Sequence, residues 1–179
     1  HQKNELAIKQ QIGVVFDEGC FYDTLCAKDV SLIMRSIYTN WNNKIFLSYL
    51  NKFNIPMNLI VKQYSRGMKM KLSIAVALSH APKLLILDEA TSGLDPVVRN
   101  EILDEFLAFI QDEEHSIFIS SHITSDLEKI ADYITFIHKG NLILSENKDT
   151  LLNEYGLLKC GKEMFNKIHS NDVLGYRTS

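Results

Sequence analysis

The chain has 179 residues, 46% hydrophobic and 23% charged, with a net charge of −3, which suits one soluble domain or a domain with a subdomain. That balance gives no basic patch for nucleic acid, since only Lys69 and Lys71 cluster, and no apolar run reaches the roughly 18 residues needed to span a bilayer. Cys20, Cys26 and Cys160 are odd in number and lack metal-ligand spacing, so they read as thiols of a reducing cytoplasm. No signal peptide is visible, and His1 reads as a remnant of a tag.

In chain order, residues 11–16 predict a core strand, and amphipathic patterning predicts helices over Ala27–Tyr38 and Lys44–Phe53. Pro56 interrupts, and a third helix opens after Tyr64-Ser65 and runs through Ala81, where Pro82 stops it. Leu84-Leu85-Ile86-Leu87 is apolar without alternation, the pattern of a parallel strand buried on both faces. A helix over 97–112, a strand over 116–120 and a helix over 124–131 follow. Strands over 133–138 and 142–146 are joined by Lys139-Gly140-Asn141, which suggests a closing hairpin. A short helix is expected over Asp149–Tyr155, and Leu157–Ser179 reads as a polar tail that need not fold alone. The alternation of strands and helices predicts an α/β fold with a mostly parallel sheet.

The chemistry concentrates where the apolar strand ends, at Asp88-Glu89-Ala90-Thr91-Ser92-Gly93-Leu94-Asp95-Pro96. An aspartate at a strand's C-terminal end can hold Mg²⁺ through water, and the glutamate beside it can orient an attacking water. The same two carboxylates could also simply open a helix, where the dipole favours them. Upstream, Ser65 and Gly67 stand at a helix start, where free N–H groups, a hydroxyl and a missing side chain can cradle a phosphate oxygen; Ser65 as an ordinary N-cap is the competing reading. Downstream, His122 follows the apolar strand Ser116–Ile119 and could be either a ligand-facing or a satisfied strand-end histidine. Phe21, Tyr22, Tyr38 and Trp41 either line a groove for a partner's helix or pack in the core.

In that order these pieces resemble the ATP-binding subunit of an ABC transporter, over roughly residues 11–147. The resemblance implies that Asp88 is the Walker B aspartate and Glu89 the catalytic glutamate. It implies that Ser92-Gly93-Leu94-Asp95 is the D-loop, His122 the switch histidine, and Ser65 with Gly67 the signature motif that closes on the γ-phosphate of ATP held by the opposite subunit. It implies ATP and Mg²⁺ as cofactors, with Asp88 and Asp17 near the metal and Ser65, Gly67 and Asp95 near the nucleotide. A second ATPase subunit and a transmembrane permease are the implied partners, on the cytoplasmic face of a membrane. Three positions depart from the family pattern: Arg66 replaces the first signature glycine, Met68 the glutamine, and Asp17 the glutamine of the Q-loop. The signature variant resembles antibiotic- and peptide-export subunits, so export is the implied direction.

No G-x-x-x-x-G-K-[ST] phosphate loop occurs. The expectation is therefore a fragment lacking the Walker A part, inactive by itself, with a Q-loop strand in 1–22, a helical subdomain in 23–81, Walker B to switch histidine in 82–147 and an extension in 148–179. Two other functional classes are open: a soluble ABC-type ATPase acting on DNA ends or on the ribosome, and a non-catalytic regulatory module.

Overall fold

A computed structural model describes residues 2–17, 20–156, 158–165 and 167–169. The chain divides into two compact units, residues 1–130 and 131–179.

The first unit is built on a three-stranded parallel sheet in the order β1 (Ile12–Val15), β2 (Leu84–Asp88), β3 (Ser116–Ser120). Helices α1 (Gln2–Lys9), α2 (Ala27–Ile37), α3 (Asn43–Lys52), α4 (Arg66–Leu78), α5 (Pro96–Phe109) and α6 (Thr124–Ile130) accompany it, with a short 3₁₀ turn at Val61–Gln63. Helix α1 precedes the first expected element and had no counterpart in the sequence reading. Each of the next three helices begins at a side chain that satisfies otherwise unpaired N–H groups. The Asp29 carboxylate accepts from the Cys26 N–H at 2.9 Å and from its thiol at 3.0 Å. Asn42 Oδ1 accepts from the Lys44 and Ile45 N–H groups at 3.0 and 3.2 Å, and Ser65 Oγ accepts from the Met68 N–H at 3.2 Å.

Helix α4 is the central post. Met70 through Leu78 are buried without interruption, as expected of a helix enclosed on all sides. Its one buried cation, Lys71, reaches Glu101 of α5 at 2.5 Å. Expected through Ala81, the helix stops at Leu78: Ser79 caps it, and Ala81, at φ 54°, takes a left-handed conformation before Pro82, a residue that cannot continue a helix. Likewise α5 ends at Phe109, not 112. Gly13 marks where α4 meets the sheet: a Cβ there would stand 2.7 Å from Leu85 Cδ2 and 3.0 Å from the Ala77 carbonyl oxygen.

Among the described residues, the sheet is covered on one face only, contrary to the expected strand buried on both. Leu85 and Leu87 are buried, but Val14, Ile86 and Phe118, in register across the three strands, form an opposite row in which Val14 is 39% and Phe118 69% exposed. An uninterrupted aliphatic run marks a strand whose two faces are both apolar, and it carries no information on whether a covering element lies within the same stretch of chain. Of the four aromatics singled out, Phe21 and Trp41 pack on the core, Tyr38 stacks on His80, and Tyr22 is 81% exposed.

His80 is enclosed at the seam of α4, β1 and the end of α2. Its ring lies parallel to Tyr38 with centroids 3.8 Å apart, and its nitrogens approach the carbonyl oxygens of Ile12 at 3.1 Å and Val76 at 3.4 Å. Burial lowers its pKa below the ordinary histidine value, outweighing the two carbonyls that pull it up.

In the second unit, β4 (Tyr133–His138) pairs antiparallel with β5 (Asn141–Asn147), with a bulge at Phe136/Ile137. The hairpin loop is the two residues Lys139-Gly140, not three. Both have positive φ (48° and 76°), the type I′ geometry that matches strand twist, and Asn141 already pairs with His138. Asn147 caps α7 (Lys148–Glu154) by accepting from the Asp149 N–H at 2.8 Å. A one-turn helix α8 (Lys162–Phe165) lies inside the expected tail; residues 157, 166 and 170–179 of that tail lie outside the described residues.

Two outcomes are expected from these contacts. Gly13→Ala drives a methyl group against backbone as well as side chain and should destabilise the chain by about 1–3 kcal/mol, read as a lower urea midpoint. The neutral His80 of the fold stabilises fully above its unfolded pKa of about 6.5, and that contribution is lost as pH falls below it. The melting temperature should therefore drop on acidification through pH 6.5, and His80→Phe should flatten that part of the decline.

Candidate functional site

Parallel pairing sets the site. The β2–β3 register places Asp88 opposite Ser120 at the C-terminal ends of both strands, the end at which open α/β sheets receive ligands. Ser120 Oγ donates to Asp88 Oδ1 at 2.6 Å. The next N–H along, that of Glu89, is shared between the Ser120 carbonyl at 3.1 Å and its hydroxyl at 3.3 Å. One serine thus fixes both the aspartate side chain and the glutamate backbone.

Glu89 leaves the strand with φ 50°, a left-handed conformation that costs a non-glycine residue of order 1 kcal/mol and recurs at functional sites. This break swings its side chain toward the end of β3. There Glu89 Oε2 lies 2.7 Å from His122 Nδ1. A carboxylate oxygen accepts, so Nδ1 carries the proton and Nε2 is the nitrogen left to face a ligand. His122 is largely exposed and Glu89 half-buried, so the pair lines an accessible surface. Asp88, Glu89 and His122, three of the seven residues singled out in the sequence, therefore converge.

The other four form a second constellation along the first turns of α4 and α5. The Glu89–Asp95 segment is a tight turn: the Ser92 N–H donates to the Glu89 carbonyl at 2.9 Å, and Gly93 has φ +64°. Asp95 then caps α5, its Oδ1 accepting from the Val97 and Val98 N–H groups at 3.1 Å each, with Pro96 as the first helical residue. Gly67 packs against that same start, since a Cβ on it would sit 3.2 Å from Val98 Cγ1. Ser65 caps α4 and is exposed, so the cap reading holds, and the outward-facing start of α4 leaves room for a ligand as well. Asp17, two residues beyond β1, receives a hydrogen bond from Arg66 Nη2. Arg66 also covers the Glu89–Asp95 turn, because a Cβ on Gly93 would meet its Nη1 at 2.7 Å.

Ser120 and Arg66 are the residues whose parts the sequence reading did not assign. Ser120 could have been found from the parallel register, which puts the residue two before His122 level with Asp88. Arg66 stood out only as a departure from a glycine. Among the described residues, no group of three or more His, Cys, Asp or Glu has metal-holding geometry. A site of one carboxylate completed by water and phosphate oxygens, the usual habit of Mg²⁺, needs no such group.

The chain is similar to known proteins. Residues 1–92 match the family described as ABC transporter. The lantibiotic transport ATP-binding protein SrtF of Streptococcus pyogenes is 36% identical over 167 residues, 92% of this chain and 67% of that protein. The bacitracin transport ATP-binding protein BcrA of Bacillus licheniformis is 36% identical over 143 residues, 79% of this chain and 47% of that protein. The chain thus spans about two thirds and about half of these relatives. Among solved structures, an ATP-binding subunit of an ABC transporter superposes with a TM-score of 0.71 at 20% identity, covering 93% of this chain and 71% of its own. A dimeric ATP-binding cassette in a post-hydrolysis state with ADP and Pi superposes at 0.70 and 19% identity, covering 82% and 66%. The structures establish the likeness of fold, and the sequence match to SrtF at this coverage, together with the family match over the first half, places the chain in the ABC transporter ATP-binding family.

Proposed function

We propose that the protein containing this chain binds and hydrolyses ATP to drive transport through a membrane partner. The observation that carries the reading is the Glu89–His122 pair at 2.7 Å beside Asp88, at the C-terminal ends of two parallel strands. In this reading the free Glu89 oxygen takes the proton of an attacking water. His122 donates through Nδ1 to the other oxygen, which fixes the direction of the carboxylate, and its Nε2 donates to the γ-phosphate when the ring carries both protons, since a phosphate oxygen is an acceptor. Asp88 keeps one oxygen on the Ser120 hydroxyl, and its other oxygen is the one that would hold Mg²⁺. When bound, Mg²⁺ would supply positive charge against the negative charge that develops on the phosphate.

Ser65, Gly67 and Asp95 serve a composite site in which this chain closes on the nucleotide held by a second ATPase subunit. The exposed Ser65 hydroxyl, the absent side chain at Gly67 and the N-terminal dipole of α4 suit a phosphate oxygen. Asp95 sets the D-loop by capping α5. A transmembrane permease is the second partner, and the cytoplasmic face of its membrane the location. The lantibiotic and bacitracin transport names of SrtF and BcrA support a cargo of that kind, and the signature variant supports export as the direction. The β- and γ-phosphates need a phosphate loop that this stretch of sequence does not contain, so the 179 residues by themselves are expected to hydrolyse no ATP.

In the full-length protein, Glu89→Gln should lower ATP turnover by about 10²–10⁴-fold while nucleotide binding is retained, measured by phosphate release and equilibrium binding side by side. Unimpaired turnover in that variant would sink the assignment of Glu89. Ser120→Ala removes the donor to Asp88 Oδ1 and one of the two acceptors of the Glu89 N–H; it should cost at least about tenfold in turnover, as expected for one hydrogen bond of about 1.5 kcal/mol to a charged group, with a smaller effect on ATP affinity.

A further inference from the structure

Two departures from the family pattern carry opposite charges and meet. Arg66 is the first residue of α4, a poor place for a cation, since the helix dipole is positive there. Local helix stability does not explain it. Its guanidinium is engaged on two sides. Nη2 donates to Asp17 Oδ1, at the exit of β1, and the group rests on the D-loop turn, where a Cβ on Gly93 would lie 2.7 Å from Nη1, 2.9 Å from Cζ and 3.4 Å from Nε. Gly93, at φ +64°, is the one residue type that leaves this seat open at no backbone strain. One turn along α4, Lys69 Nζ reaches Asp23 at 3.2 Å, so the start of the helix is tethered twice to the segment that follows β1. The turn under Arg66 belongs to Glu89, whose carbonyl accepts from the Ser92 N–H at 2.9 Å.

We propose that Arg66 is a positioning residue for hydrolysis: held by Asp17 and seated on Gly93, it fixes the turn that carries Glu89 against the start of the signature helix, and Asp17 serves as its counter-ion. The inference rests on the ATPase reading above. It gives Asp17 a different part from the metal-side one the sequence suggests, that of counter-ion to the guanidinium its Oδ1 already holds. It also accounts for both substitutions together: either alone would leave an uncompensated charge beside the phosphate site, and as a pair they neutralise each other.

The test is a cycle of Asp17→Asn, Arg66→Ala and the double variant in the full-length protein, read by ATP turnover across a Mg²⁺ titration. Hydrogen–deuterium exchange of residues 91–95 without nucleotide, with Asp17→Arg/Arg66→Asp added as a swapped pair, gives a readout independent of activity. Each single change should lower kcat about two- to fivefold, the scale of an exposed ion pair, with KM for ATP and the Mg²⁺ half-saturation unchanged. The double variant should be no slower than the slower single one. Exchange at 91–95 should quicken in both single variants and slow again in the swapped pair. Multiplying effects in the double variant, or no recovery of protection in the swapped pair, would overturn the proposal. So would a raised Mg²⁺ requirement in Asp17→Asn that Arg66→Ala does not share, which would return Asp17 to the metal. If the unsubstituted full-length protein fails to hydrolyse ATP, the ATPase reading falls, while the exchange data still decide whether Arg66 holds the turn.

Discussion

Everything at the site depends on the parallel register of β2 and β3, which sets Ser120 level with Asp88. A shift of one residue would turn the Ser120 side chain to the opposite face of the sheet. It would also remove the hydroxyl that Asp88 Oδ1 and the Glu89 N–H both use. The register is held by the apolar faces of the strands: Leu85 and Leu87 must face inward, and doing so leaves Asp88 at the rim. Burial of aliphatic side chains is therefore what positions the charges, although the charges themselves contribute little to it. The left-handed Glu89 is the local strain this arrangement sustains, and it gives the glutamate a direction distinct from that of the aspartate one residue earlier.

Helix α4 couples that rim to the rest of the unit. Its buried run from Met70 to Leu78 rests on the sheet where Gly13 allows close approach. Its first turn, with Ser65, Arg66 and Gly67, stands at the ends of β1 and α5. Gly67 against Val98 and Arg66 against Gly93 are both contacts in which a glycine makes room for a neighbour. Helix α4 and the turn after Glu89 therefore lie in direct contact, and a displacement of one bears on the other. Lys71 with Glu101 and Arg99 with Asp126 at 3.4 Å extend the connection from α4 through α5 to α6, the helix that follows His122.

The sequence makes most of the elements legible because their signals are local. Asn42, Ser65 and Asp95 begin helices, Pro82 bars continuation, and 116–120 is a strand at its expected bounds. The errors fall where local pattern and chain context diverge. Helix α4 ends at the Ser79 cap, three residues before Pro82, and the hairpin loop is shortened by a positive φ at Lys139, a residue with no turn preference of its own. The open face of the sheet is a property of what packs on it, which an apolar run cannot report. At the site, Asp88, Glu89 and His122 were legible from residue types and order. The part of Ser120 is set by strand register, and the Asp17–Arg66 contact by two segments 49 residues apart; neither distance nor register is written in a local stretch.

The central claim is that Glu89 holds His122 through Nδ1, leaving Nε2 for the ligand. The most direct measurement is the tautomer of His122 from long-range ¹H–¹⁵N spectra of the histidine side chains in the full-length protein, with and without Glu89→Gln. The account predicts a protonated Nδ1 in the unsubstituted protein, with that preference weakened or lost in the variant. A His122 protonated on Nε2 alone, or one whose spectrum ignores Glu89→Gln, would contradict it.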